Sequence, residues 1–251
     1  MILDEIVRRT RKRVARLPAS FPESPARAHP SLAGAIRGSN GRNAVIAEIK
    51  CASPSRGMIR RNVDMAQMAG VLAGAGCVAL SVLTEPYFFG GSGQDIARVK
   101  SAVEIPVLRK DFIIDERQIA ESAALGADAV LLIAAVLGKD LPAYIDRARD
   151  YHLEPLVEIH NATEAGLALG TEASLIGINN RDLATMTIDR STTRLLSEQI
   201  RPTGRLIVSE SGMRSADDVR EMRAYCDAFL IGSSIMSHEQ PKKKLEEFVC
   251  A

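Results

Sequence analysis

The sequence predicts an α/β chain folded as a (β/α)8 barrel, the TIM-barrel architecture, with an amino-terminal helical extension. After Ala44 a short apolar run recurs eight times, each followed by a polar loop and an amphipathic segment that reads as helix. Runs such as Ala129–Ile133 are apolar without alternation, as parallel strands buried on both faces are. Eight such units occupy about 210 residues, the size of one barrel. An open doubly wound sheet fits less well, because no Gly-x-Gly-x-x-Gly joins the first strand to its helix.

In chain order, residues 1 to 16 place Ile2, Leu3, Ile6, Val7 and Val14 on one helical stripe, with Arg8, Arg9, Arg11, Lys12 and Arg13 largely opposite. This basic face reads as the solvated side of a docked helix rather than a nucleic-acid surface, since no other basic patch extends it. The prolines at 18, 22, 25 and 30 make a connector, and Ser31–Arg37 a second short helix. The eight runs are Ala44–Lys50, Cys77–Leu83, Pro106–Lys110, Asp128–Ile133, Pro155–His160, Leu175–Asn179, Arg205–Ser209 and Ala228–Ile231. Helices are predicted over, among others, Asp64–Ala75, Glu116–Leu125, Leu141–His152, Thr163–Leu169 and Ser215–Tyr225. Residues 1–43 thus form a helical extension expected to act as a lid, and 44–251 a catalytic barrel that can close without it.

Composition agrees with an ordinary globular chain: 251 residues, 46% hydrophobic and 25% charged, enough for a large core. A net charge of +1 gives no general pull toward nucleic acid or an anionic membrane, so a bound anion must be met by local groups. Four scattered cysteines without Cys-x-x-Cys, and four histidines without ligand spacing, argue against a disulfide framework and a metal site. With no long apolar run and with Asp4 and Glu5 near the start, the expectation is a cytoplasmic protein, read as a monomer.

The chemistry gathers where the runs end. In Ile46–Gly57, Glu48 and Lys50 leave one face of an apolar strand, just before Ser53, Pro54, Ser55 and Gly57 turn the chain. At their carboxyl ends the third run gives Lys110, the fifth Glu158, the sixth Asn179 and Arg181, and the seventh Glu210. Any one of these could be a solvated strand end. A barrel brings them to one mouth, where three cations and three carboxylates are hard to explain as packing.

Glu210-Ser211-Gly212 and Ile231-Gly232-Ser233-Ser234 are small turns with open backbone N–H groups, in the position where barrels hold phosphate. Gly90-Gly91-Ser92-Gly93 lacks a following Gly-Lys-Ser/Thr and reads as a flexible active-site loop rather than a Walker loop. Phe89, Phe112, Leu131, Leu183 and Pro54, with Leu230 of the eighth run, offer apolar walls for a planar ring.

At these residues the sequence strongly resembles the indole-3-glycerol-phosphate synthase family. The match runs from about Ala44 to the end through Ile-Ala-Glu-Ile-Lys-Cys-Ala-Ser-Pro-Ser, Ser-Val-Leu-Thr-Glu, Pro-Val-Leu-Arg-Lys-Asp-Phe-Ile-Ile-Asp, Ile-Gly-Ile-Asn-Asn-Arg-Asp-Leu and Ser-Glu-Ser-Gly. Cys51 departs from the pattern, standing where family members often carry a base. The resemblance implies a lyase of tryptophan biosynthesis that converts 1-(2-carboxyphenylamino)-1-deoxyribulose 5-phosphate to indole-3-glycerol phosphate, carbon dioxide and water. It implies no cofactor and no metal, and an amino-terminal extension draped over the mouth.

Under that chemistry Lys110, with Lys50 as the alternative, is the expected general acid toward the ketone oxygen and Glu158 the base of the dehydration. Glu48 and Asn179 would orient the lysines and substrate hydroxyls. Lys50 and Arg181, with Ser53, would anchor the carboxylate; Gly212, Gly232 and Ser233, with Ser211, would hold phosphate, and Glu210 would steady a hydroxyl or a lysine. Two lysines among apolar neighbours are expected to ease one another's deprotonation. A sugar-phosphate isomerase on the same fold would need a carboxylate pair for enediol transfer and no ring-sized pocket. A barrel that binds without turnover would not need Glu48, Lys50, Lys110, Glu158 and Asn179 together.

Overall fold

A computed structural model describes residues 2–22 and 29–251. Eight parallel strands close a barrel: β1 Ala44–Ile49, β2 Ala79–Leu83, β3 Val107–Lys110, β4 Ala129–Ile133, β5 Glu154–Ile159, β6 Leu175–Asn179, β7 Leu206–Glu210 and β8 Ala228–Ile231. Each pairs with its neighbours in chain order. β1 closes the ring, with Ala44 opposite Ala228 on β8 and Ile46 opposite Ala79 on β2. Among the described residues no helix is long and apolar enough to cross a membrane.

Strand parity decides what reaches the mouth. On β1, Val45, Ala47 and Ile49 pack outward against the helices, whereas Ala44 and Ile46 fill the barrel interior. Continuing the inward series places Glu48 at the top of the interior, with Lys50 beyond it. The same alternation carries Leu108 to Lys110, Leu156 to Glu158, Leu175 and Gly177 to Asn179, Val208 to Glu210, and Ala228 and Leu230 to Gly232. Apolar interior below and polar residues above are one pattern, read along each strand.

Helices α3 Met65–Gly74, α4 Gln94–Lys100, α5 Glu116–Ala124, α6 Ala134–Leu137, α7 Leu141–Asp150, α8 Ala162–Leu169, α9 Ser191–Ile200, α10 Ala216–Met222, α11 Ser233–Met236 and α12 Pro241–Val249 surround the barrel. Asp64, Asp115, Asn161 and Ser215 cap four of them by accepting a first-turn N–H, a device that stabilises by about 1 kcal/mol each.

The amino-terminal segment splits between the two ends of the barrel. Helix α1, Ile2–Val14, lies over the mouth, where Ile2, Leu3 and Ile6 line the central cavity. Helix α2, Leu32–Arg37, lies at the opposite end, so the expected placement over the mouth describes α1 alone. Leu32, Ala33 and Ile36 are buried with Ala44, Ala79 and Ala228 at the strand starts. Glu154, which opens β5, accepts hydrogen bonds from Ser31 Oγ (2.9 Å), Leu32 N and Ala33 N (3.2 Å), placing a carboxylate on the positive end of α2. The connector expected between Pro18 and Pro30 is described only at its ends; Pro25 lies outside the described residues.

The solvated-face reading of α1 needs correction at Arg13 and Arg9. Arg13 Nη2 donates to Asp111 Oδ1 at 2.8 Å, and Asp111 is fully buried. Arg9 lies over the rings of Tyr87 and Phe88, 5.5 and 5.4 Å from their centroids. The glycine-rich stretch 90–93 also differs from expectation. It lies outside the cavity wall, and a Cβ on Gly91 would collide with the backbone of Leu83 and Thr84. Gly91 N donates to Glu85 O at 3.0 Å, so this stretch packs against the end of β2.

Candidate active site

The strand ends open into one cavity of about 400 Å³, and every candidate catalytic and substrate-binding residue from the sequence lies in its wall, the glycine-rich stretch 90–93 excepted. β1 and the turn after it bring Glu48, Lys50, Ser53 and Pro54. The loop after β2 adds Phe89, β3 and its loop Lys110 and Phe112, β4 Leu131, and β5 Glu158. β6 and its loop supply Asn179, Arg181 and Leu183; β7 and the turn after it supply Glu210, Ser211 and Gly212; β8 supplies Leu230, followed by Gly232 and by Ser233 at the start of α11. Phe89 and Phe112 stand 6.3 Å apart with tilted rings, an apolar corner beside the charged groups.

Two lysine–carboxylate clusters occupy the floor. Lys50 Nζ lies 2.5 Å from Glu48 Oε1. Gly232 makes room for that carboxylate, because a Cβ there would strike Glu48. Lys110 Nζ sits between two buried carboxylates, 2.9 Å from Glu158 Oε2 and 2.5 Å from Glu210 Oε2. Gly177 leaves space for Glu210 in the same way.

These partners reverse one expectation. Burial alone would lower the Lys110 pKa, but the Glu158 and Glu210 carboxylates, with Glu48 behind them, override burial and raise it. Lys110 faces anions rather than another cation and holds its proton firmly. The two carboxylates then diverge. Burial would raise Glu158, yet Lys110 and His160 together hold it well below the usual carboxylate range. Glu210 is pushed up, by burial first and then by neighbouring Glu158, against the pull of Lys110. One carboxyl is kept ionised and the other is kept ready to accept a proton.

Another part of the wall is cationic. Burial lowers the Arg181 pKa, and repulsion from Arg56 and Arg214, both also in the wall, lowers it further. Arg181 is braced by donating from Nη1 to Met186 O at 3.0 Å, while Asn179 Oδ1 accepts from Arg181 N (3.0 Å) and Ser211 Oγ (2.9 Å). Asn179 therefore ties the β6 and β7 loops together. Ser211 and Gly212 take positive φ of 65° and 97°, which lets the chain turn sharply after Glu210. Ser234 Oγ donates to Met213 O at 2.6 Å and joins this turn to the start of α11. The leading N–H groups of that helix have no intrahelical acceptor, which suits an anion.

The fold is shared with distant solved structures. A tryptophan synthase alpha chain from Legionella pneumophila superposes with a TM-score of 0.65 at 10% identity, over 88% of this chain and 96% of that one. KGPDC from Streptococcus mutans gives 0.63 at 14% identity over 82% and 95%. Sequence comparison is closer: the family model "Indole-3-glycerol phosphate synthase" matches residues 3–248. The chain belongs to the indole-3-glycerol phosphate synthase family. A relative of that name from Caldanaerobacter subterraneus subsp. tengcongensis is 46% identical, covering 83% of this chain and 81% of its own. Another from Thermoanaerobacter sp. (strain X514) is 41% identical over 99% and 97%, and one from Methanocaldococcus jannaschii 44% over 83% and 78%.

Within the cavity of this indole-3-glycerol phosphate synthase family member, several wall residues carry little signal in the sequence. Arg56 is visible in the turn that follows Ser53, and Arg214 two residues after Gly212, but neither stands on a strand. Ile2, Leu3 and Ile6 read only as the apolar stripe of α1. His160 closes the fifth run directly behind Glu158, and its place is visible only with the ring positions.

Proposed function

We propose that this chain closes the indole ring, converting 1-(2-carboxyphenylamino)-1-deoxyribulose 5-phosphate to indole-3-glycerol phosphate. The observation that carries the reading is the Lys110 ammonium held between Glu158 and Glu210 in the wall of the same cavity as the Glu48–Lys50 pair and the apolar side chains.

In this reading Lys50 and Arg181, with Ser53, hold the substrate carboxylate, and Gly212, Gly232 and Ser233, with Ser211, hold its phosphate. Phe89, Phe112, Pro54, Leu131, Leu183 and Leu230 enclose the aromatic ring. The ring carbon bearing the carboxylate bonds to the ketone carbon while Lys110 gives a proton to the ketone oxygen. Loss of carbon dioxide leaves its bonding electrons in the ring and restores aromaticity. Dehydration follows: Glu158 takes a proton from the new five-membered ring, and Lys110, reprotonated from Glu210, gives one to the departing hydroxyl as water. Glu48 and Asn179 orient Lys50 and a substrate hydroxyl.

The same proposal covers a barrel, residues 44–251, that carries the catalytic groups with residues 1–43 as its extension, working as a cytoplasmic monomer without a cofactor. Incubating the protein with the carboxyphenylamino sugar phosphate should produce indole absorbance and one carbon dioxide per turnover. Absence of both at millimolar substrate would overturn the reading.

A further inference from the structure

We infer that His160 is a positioning residue that ranks the two carboxylates sharing Lys110, keeping Glu158 ionised as the base and leaving Glu210 to carry the proton. This deepens the proposed function, because it rests on Glu158 acting as that base.

Glu158 and Glu210 are nearly equivalent by burial, with side chains 3% and 1% exposed, and both touch the same ammonium. What distinguishes them is the second oxygen of each. Glu158 Oε1 lies 3.3 Å from His160 Nε2, an ion-pair contact without hydrogen-bond geometry, whereas Glu210 Oε1 is buried with no hydrogen-bond partner among the described residues. Glu158 therefore has a cation on each oxygen if His160 is charged.

The ring's other side makes it so. His160 Nδ1 lies 3.0 Å from Glu164 Oε2, which also accepts from His160 N at 2.8 Å. Glu164 is itself held by Asn161, whose Nδ2 donates to Oε1 at 2.6 Å while Asn161 caps α8. Nδ1 thus lies within hydrogen-bond reach of the Glu164 carboxylate, and Nε2 faces the Glu158 carboxylate as an ion pair without hydrogen-bond geometry. A neutral imidazole would turn a lone pair on one of them; the imidazolium suits both. Burial opposes the charge, but Glu158 and Glu164 outweigh it and raise the His160 pKa to about 10. Lys110 from β3 and Glu210 from β7 face Glu158 on its other side, and Asp182 in the loop after β6 lies within electrostatic reach of His160.

Removing this cation should raise the proton affinity of Glu158, so the base protonates at higher pH. The acidic limb of the kcat/KM profile should move upward by about 1 to 2 pH units in H160Q, the effect of losing one close opposite charge. KM at the top of the profile should change little. E164Q, which keeps the ring but weakens its charge, should shift the limb the same way by less. Independently of turnover, 15N-histidine NMR of the wild-type protein at pH 8 should show both His160 ring nitrogens protonated, the signal being assigned by its loss in H160Q. If H160Q does not fold, E164Q and the wild-type spectrum carry the test. A neutral His160 at pH 8, or an acidic limb unmoved in a folded variant, overturns the inference. A wild-type protein with no turnover would instead defeat the functional reading, and the NMR result would still decide the state of His160.

Discussion

Replacing Lys110 with methionine removes the cation that Glu158 and Glu210 share. Two separate losses follow. As the positioned acid, Lys110 should contribute about 10²- to 10⁴-fold to turnover, which corresponds to roughly 3 to 5 kcal/mol of barrier. As the partner of two carboxylates with side chains 3% and 1% exposed, it also keeps their charges tolerable. Removing one side of a buried ion pair costs about 3 to 5 kcal/mol of stability, or roughly 6 to 20 °C in Tm for a chain of this size. The pH dependence separates this cost from a simple packing defect. Without the pull of Lys110 the Glu210 carboxyl rises further above its unfolded pKa while His160 still holds Glu158 down, so the native state binds more protons and stability falls as pH rises through the Glu210 window. K110M should therefore be furthest below wild type near pH 8 and recover part of the gap near pH 5.5. Steady-state rates from indole absorbance, with thermal melts by circular dichroism at the two pH values, measure both effects. The reasoning fails if K110M keeps turnover within tenfold of wild type. It also fails if K110M only raises KM while K50M loses turnover at unchanged KM, which would exchange the two lysines' roles.

Binding an unreactive substrate analogue should draw in a proton, most of it onto Glu210, because the bound carboxylate and phosphate add negative charge beside a carboxyl already raised by burial. Affinity should then fall as pH rises above neutral; calorimetry in two buffers of different ionisation enthalpy should show uptake that E210Q abolishes, and zero uptake after correction for phosphate would refute it. G232A should push the Glu48 carboxylate off Lys50 and lower kcat/KM about tenfold or more with the fold intact; unchanged kinetics would show that Glu48 has room to move. L32A should cost about 2 to 5 kcal/mol in urea unfolding, the usual range for a fully buried leucine, since Leu32 sits among the strand starts. A cost below about 1 kcal/mol would mean that α2 is not needed to close that end.

The barrel is legible in the sequence because its signal is local. Leu175–Asn179 and Ala228–Ile231 end where the apolar runs end, and strand parity alone carries Glu48, Lys110, Glu158 and Glu210 into one cavity. Long-range pairing leaves no such trace. Arg13 lies 98 positions before Asp111, and nothing in the helical stripe of α1 distinguishes it from its exposed neighbours. The direction of the Lys110 shift escapes the sequence for a related reason. Strand ends reveal which charges share a mouth, not which face one another, and Lys110 touches two anions. His160 has a faint local signature, since a glutamate four residues on commonly returns to cap the helix start. That spacing gives no hint that the ring's far nitrogen meets Glu158.

The division of the amino-terminal segment has a consequence for synthesis. Of the described elements α1 and α2 leave the ribosome first, yet the surfaces that bury Ile6, Leu32 and Ile36 are assembled from strands distributed around the whole barrel. The ring itself closes only when β8 meets β1, the last strand against the first. At about 5 to 20 residues per second, those apolar faces wait on the order of ten seconds or more before their site exists. During that interval they are exposed hydrophobic patches on a growing chain, natural ground for a chaperone or for self-association. Docking at both ends is thus a late event, and slow translation through the final unit would lengthen the hazard.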